Sequence, residues 1–140
     1  MAIKFHEQTR TFHIYNKDVS YIMRVMENEQ LENLYYGKVV HDKEDFNYLH
    51  QEEFRSMASN CTPEPGTLAM QYTKQEYPSY GKGDYRSPAF TVIQENGSRI
   101  VDFKYVSHEI FSGKKLLEPL PATYVDSDDE ATSLEVTLHD

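Results

Sequence analysis

VSYIMRVM, residues 19–26, sets Val19, Tyr21, Met23 and Val25 on one side of an extended chain and Ser20, Ile22, Arg24 and Met26 on the other, because side chains along a strand alternate with a period of two. Both sides are largely apolar, which predicts a strand covered on both faces. The neighbouring runs have the same length scale. IKF, TFHIY and LENLYYG are short apolar stretches separated by polar punctuation within the first forty residues, strand lengths rather than helix lengths. Asn28-Glu29-Gln30 reads as a turn, with Asn28 expected to take the left-handed backbone.

Further along, FTVIQENGSRIVDFKYV (90–106) contains Asn96-Gly97, the favoured pair for a two-residue hairpin turn with positive φ at both central positions. Pairing Glu95 with Ser98 places Val92 opposite Val101 and Phe90 opposite Phe103, with Tyr105 on the same side. One apolar and one mixed face is what a strand pair in a sandwich requires. Gly113 in SHEIFSGKKLL predicts a turn, and the prolines of PLPATYV (119–125) predict an extended stretch. LEVTLHD (134–140) alternates again, with Leu134, Val136 and Leu138 on one side. The expected fold class is therefore all-β, an antiparallel β-sandwich. One long connection, residues 41–75, has room for at most a short helical turn near Phe46, Leu49 and Phe54. DSDDEAT (126–132) is an acidic loop without the central glycine or ligand spacing of a calcium site.

A chain of 140 residues fits one domain. Fourteen basic against 23 acidic side chains leave a formal charge of −9, which opposes phosphate backbones and anionic lipid surfaces. Nucleic acid and membrane are not expected partners, and no window approaches the apolar length of a membrane span. Cys61 stands alone, so no internal disulfide forms. The opening MAIKFHEQ has no basic region followed by an apolar run, and a cytoplasmic setting is expected.

Candidate chemistry is thin. Gly81-Lys82-Gly83 lacks the rest of a phosphate-loop pattern and reads as a glycine-rich turn. His6, His13, His41, His50, His108 and His139 have no metal-ligand spacing and read as surface or strand-end histidines; neither metal nor cofactor is expected. Glu76 and Asp84 could pair as acid and nucleophile, but nothing local would split their pKa values. Asp84 and Arg86 share a face of an extended chain and read more economically as an ion pair. Tyr77, Tyr80 and Tyr85 read as half-buried packing with a hydroxyl handle, a sugar platform being the alternative. His50, Gln51, Glu52, Glu53 and Arg55 crowd onto the long connection, where binding groups tend to sit; a solvated charge cluster is the plain alternative.

The succession FHIYN, VSYIMRV, LENLYYGK, EYPSYGKGDYRSPAF, ENGSRIVDFKY, GKKLLEPLPATYV and LEVTLHD resembles the amino-terminal region of the family 36 glycoside hydrolases, retaining α-galactosidases acting on melibiose and raffinose-type sugars. The resemblance runs from Phe12 to Asp140, and its specific parts are EYPxYGxGDxRxPA and LPATYV. It implies part of a β-supersandwich ahead of a catalytic (β/α)₈ barrel that lies outside residues 1–140, so that the chain is truncated and carries no catalytic residue. It also implies packing on that barrel, α-galactoside sugars as ligands of the full enzyme, and a homo-oligomer, tetrameric in relatives, in which a loop is lent to a neighbouring subunit's pocket. Glu52, Glu53 and Arg55 hold the matching place as substrate-binding candidates. Tyr77, Asp84 and Arg86 hold a structural corner. Glu29 departs from the family, whose members tend to have glycine after the turn asparagine. A stand-alone carbohydrate-binding or protein-interaction β-sandwich is the rival reading.

Overall fold

The computed structural model describes residues 2–51, 70–82, 84–115, 117–121, 123, 125–127 and 130–140. β1 (Ala2–His6), β2 (Thr11–Tyr15), β3 (Val19–Val25) and β4 (Leu31–Lys38) form an antiparallel sheet in chain order. β5 (Lys104–Ser112) and β6 (Thr132–His139) form a second, two-stranded antiparallel sheet. The helical content among the described residues is two single 3-10 turns, Asn47–Leu49 and Met70–Tyr72. The fold is all-β, as the alternation predicts.

β3 is covered on both sides. Met23 and Val25 lie with Phe12 and Leu31 in a buried cluster against which Tyr105, Leu134, Val136 and Leu138 of the second sheet pack. Ile22 points the other way, into a cluster with Leu34 and Phe46, edged by Val40 and Leu49. The second cover thus comes from the connection after β4. Between Ile22 and Met23 the pairing jumps from Tyr35 to Asn33, so β4 carries one extra residue and both Leu34 and Tyr35 reach the Ile22 side. Each large apolar side chain fully buried here contributes about 1.5–3 kcal/mol, more than an exposed ion pair at roughly 0–1 kcal/mol. The two apolar clusters therefore dominate the stability.

Two turns differ from expectation. In the β3–β4 turn the positive φ falls on Glu29 (68°), not on Asn28. Asn28 is otherwise engaged: its Oδ1 accepts the Gln30 N–H at 3.2 Å and its Nδ2 donates to Met70 Sδ at 3.2 Å. A left-handed non-glycine residue costs about 1–2 kcal/mol. Arg10 offsets this by gripping both Glu29 carboxylate oxygens, one at 2.9 Å, a bidentate charge-assisted pair. The Tyr105 N–H donates to the Glu29 carbonyl at 2.7 Å, so the same turn ties the second sheet to the first.

At Asn96-Gly97 only Gly97 has positive φ (82°). The Gln94 N–H donates to the Ser98 carbonyl and the Gly97 N–H to the Gln94 carbonyl, each at 2.9 Å. The loop therefore holds three residues, Glu95–Gly97, the type I turn with a glycine bulge, and the expected register is off by one. The flanking limbs are not strands either: extended pairing starts at Lys104, against His139 rather than against residues 90–95. The first limb is claimed elsewhere, because Ala89 N–H donates to the Pro78 carbonyl at 2.9 Å and Phe90 stacks on Tyr77 at 5.0 Å. The rings of Phe90 and Phe103 still meet, at 5.1 Å. Gly113 turns the chain with φ 88°, and Leu134, Val136 and Leu138 face the core, both as read. A helical turn forms at Asn47–Leu49 beside Phe46; Phe54 lies outside the described residues.

Replacing Ile22 by alanine should cost about 2–5 kcal/mol. Thr137→Ala, on the exposed face of β6, should shift the midpoint by less than about 0.5 kcal/mol. Urea unfolding of both variants checks the pair.

Candidate functional site

Three carboxylates, Asp84 and Glu32 buried and Asp42 half-buried, organise the polar side of the molecule. Asp84 is buried, and its Oδ1 accepts Arg86 Nε at 2.9 Å and the Arg86 N–H at 3.1 Å. Its Oδ2 accepts Arg86 Nη2 at 2.8 Å and Gln75 Nε2 at 2.6 Å. Burial pushes the Asp84 carboxyl up, but the Arg86 bonds and charge and the Gln75 amide outweigh it and hold it below the usual carboxylate range. A carboxylate held ionised at neutral pH and met by Arg86 and Gln75 on both oxygens is neither general acid nor free nucleophile. Arg86 Nη2 also donates to the Met70 and Thr73 carbonyls at 2.9 and 2.8 Å.

Around this pair the chain turns sharply. Gly81 and Asp84 exchange backbone hydrogen bonds at 2.8 and 3.2 Å, and Tyr77, Gly81 and Lys82 all have positive φ. A Cβ on Gly81 would come within 2.6 Å of Ile100 Cγ2. Glu76 is held by Asn33 Nδ2 at 3.1 Å and hydrogen-bonded to Tyr21, whose hydroxyl pKa is raised, first by burial and then by that carboxylate. Tyr80 and Tyr85 meet edge to face at 5.8 Å and 83°, which gives no flat platform for a sugar ring.

Glu32 is the second carboxylate, 2% exposed. It accepts Arg24 Nε at 2.7 Å and His50 Nδ1 at 2.6 Å, while Arg24 Nη1 donates to Asn47 Oδ1 at 2.6 Å. His50 is thereby fixed at the entry to residues 52–69. Met70, at the exit, is buried and held through its carbonyl by Arg86. Glu52, Glu53 and Arg55 lie outside the described residues.

Asp42 is the third. Its Oδ1 accepts from His13 Nδ1 at 2.8 Å and His6 Nε2 at 3.1 Å, and its Oδ2 from Lys4 at 2.7 Å. Burial raises its pKa, but the bonds from Lys4, His13 and His6 win and bring it down to about 2. The His13 ring thus lies between two partners, with Nδ1 on the Asp42 carboxylate and Nε2 sharing a 2.9 Å hydrogen bond with the Ser20 hydroxyl. The Ser20 oxygen accepts the Val40 N–H at 3.0 Å. The order Ser–His–Asp is that of a hydrolytic triad, yet Ser20 and His13 are both fully buried. No substrate reaches the hydroxyl, and the network is a latch for residues 40–46. His13 and His6 are thus buried, not surface groups: antiparallel pairing of β1 with β2 brings them beside one carboxylate from a distant segment. Only His13 at an otherwise apolar strand centre signals this in the sequence. No group of three or more His, Cys, Asp or Glu side chains suited to a metal ion occurs among the described residues, and no helix there is long and apolar enough to cross a membrane.

Between the sheets lies a groove of about 640 Å³ lined by residues that include Met23, Leu31, Glu76, Phe103, Leu134 and Val136. It is open and apolar.

With this architecture in view, residues 29–140 match the glycosyl hydrolase family 36 N-terminal domain. The chain belongs to that family. It is 37% identical over 140 residues to the α-galactosidase AgaA of Geobacillus stearothermophilus, a match covering 100% of this chain and 19% of that enzyme. The crystal structure of the α-galactosidase from Lactobacillus brevis superposes with a TM-score of 0.90 at 37% identity, over 99% of this chain and 19% of that one. A variant of the Geobacillus AgaA enzyme in complex with raffinose matches with a TM-score of 0.83 at 37% identity, over 93% and 18%. The chain thus spans about a fifth of the length of these relatives.

The Asp42 latch predicts acid lability of a definite sign. Its folded pKa of about 2 lies below the unfolded value of 3.8, so its contribution is present above pH 4 (roughly) and is lost as pH falls towards about 2. Asp42→Asn should remove on the order of 1–2 kcal/mol at neutral pH, after allowance for solvent screening, and flatten the stability profile across that window. Urea midpoints measured across the acid range check it.

Proposed function

We propose that this chain is the non-catalytic amino-terminal part of a retaining α-galactosidase that hydrolyses terminal α-linked galactose from melibiose and raffinose-type oligosaccharides. The single observation that carries the reading is end-to-end similarity to α-galactosidases, 37% over 140 residues, of which the chain spans only 19%. The fully paired state of Asp84 supports a role outside catalysis, since no described carboxylate in the tyrosine-rich corner is poised as acid or nucleophile. In this reading the nucleophile and the acid/base belong to a (β/α)₈ barrel outside residues 1–140, and the parent enzyme is cytoplasmic. The raffinose complex of a relative supports the substrate class.

The chain's own work is mechanical. Its two sheets form part of a larger β-supersandwich. It packs on the barrel and supports a homo-oligomer. The stretch with Glu52, Glu53 and Arg55 is lent to a neighbouring subunit's sugar pocket. Carboxylate oxygens accept bonds from sugar hydroxyls and a guanidinium donates a fork of them. The corner held by Asp84 and Arg86 fixes the exit of that stretch through Met70.

The protein that carries the chain should release galactose from raffinose with retention at the anomeric carbon, read by NMR at early time, whereas residues 1–140 alone should turn over nothing. Glycosidase activity confined to another sugar, or inversion, rejects the reading. In the parent enzyme, Glu52→Ala with Glu53→Ala should raise KM for raffinose by roughly tenfold, about 1.4 kcal/mol of lost binding, with an unchanged thermal midpoint. Unaltered kinetics would remove these residues from the pocket.

A further inference from the structure

The turn Glu95–Gly97 carries chemistry that the scaffold role does not use. We propose that Asn96 is a self-modification site, at which the chain converts asparagine to aspartate and isoaspartate through a cyclic imide.

The reaction needs the backbone nitrogen of the following residue to reach the side-chain amide carbon. Asn96 alone among the six asparagines precedes a glycine, so no side chain crowds the attacking nitrogen. The surroundings are open as well: a Cβ placed on Gly97 meets nothing within 4 Å. The electrophile is held in place. Asn96 Oδ1 accepts the Ser98 N–H at 2.8 Å, which keeps the amide folded back over its own backbone. That oxygen is the atom on which negative charge develops as the nitrogen adds, and a donor already aimed at it stabilises the charge. One contact opposes: the Gly97 N–H donates to the Gln94 carbonyl at 2.9 Å. This bond lies in an exposed turn, where a water molecule takes its place with little net loss.

The steps balance without a redox partner. The Gly97 nitrogen gives its proton to solvent base and forms a bond to the Asn96 amide carbon. The bond from that carbon to the side-chain nitrogen breaks, and ammonia leaves with a proton from solvent. Water then adds to one of the two imide carbonyls. Opening on one side gives aspartate; opening on the other routes the main chain through the former side chain and gives isoaspartate.

Either product adds one negative charge to the formal −9. Isoaspartate also inserts a methylene into the main chain between Gln94 and Ser98, whose mutual bond sets the hairpin. The limb that follows carries buried Val101 and groove-lining Phe103, so the inter-sheet groove feels the change.

Asn16 and Asn28 are controls within the molecule. Their Oδ1 atoms likewise accept backbone N–H groups two residues on, from Asp18 at 2.8 Å and Gln30 at 3.2 Å, but they precede Lys17 and Glu29. The purified protein is incubated in mildly alkaline and mildly acidic buffer, folded and in urea, and digested. Peptides are read for the mass gain of amide to acid and for isoaspartate by enzymatic methylation. Conversion at Asn96 should be at least as fast in the folded chain as in the unfolded one and faster in the alkaline buffer. Asn16 and Asn28 should stay intact, and Asn96→Gln should lose the signal. Slower conversion in the folded chain than in urea, or equal conversion at Asn16 and Asn28, would overturn the proposal.

Discussion

A strand that is apolar on both faces cannot sit at a surface, and β3 places that demand on everything around it. One face is met by strands about eighty or more residues away in sequence, the other by the connection that leaves β4. Neither cover could be supplied by the meander itself, whose strands lie edge to edge with β3 rather than above it. The sandwich and the long connection are two answers to one burial problem. This is why a segment with little regular structure nonetheless contains a side chain as buried as Phe46.

Charged groups attach those covers. Asp42, Glu32 and Asp84 each sit where a lone carboxylate would be costly, and each is met by several donors from separate segments. Such groups add less to stability than the apolar clusters, but they are directional. Apolar contact presses residues 40–50 onto the sheet, and the hydrogen bonds decide where along the sheet they rest. The bidentate grip of Arg10 on Glu29 serves likewise at the far end, holding a strained turn against β5.

Strands were legible where period-two alternation dominated. β3 and β6 could be read residue by residue, including the inward set Leu134, Val136 and Leu138. The hairpin at Asn96-Gly97 was not, because a glycine-containing pair suits both a two-residue and a three-residue loop, and tertiary competitors, Pro78 and Tyr77, had already taken the first limb. The left-handed place at Glu29 was equally hidden: local preference names Asn28, and only the position of Arg10 in the fold reverses it. For the polar centres, the pairing of Asp84 with Arg86 followed from two-residue spacing. Asp42 and its histidines did not, since their contacts join segments 29 to 38 positions apart and leave no periodic trace.

The pinning of His50 by Glu32 and of Met70 by Arg86 bears on how such a chain can diverge. With both ends of the intervening stretch anchored to the sandwich, the entropy of closing it depends on length only logarithmically, about 0.6 kcal/mol for each doubling. Insertions and deletions between those anchors are then nearly free, while the anchors themselves are not. A lineage can rewrite this stretch repeatedly, with the scaffold unaware of the edits and its fold left as it was.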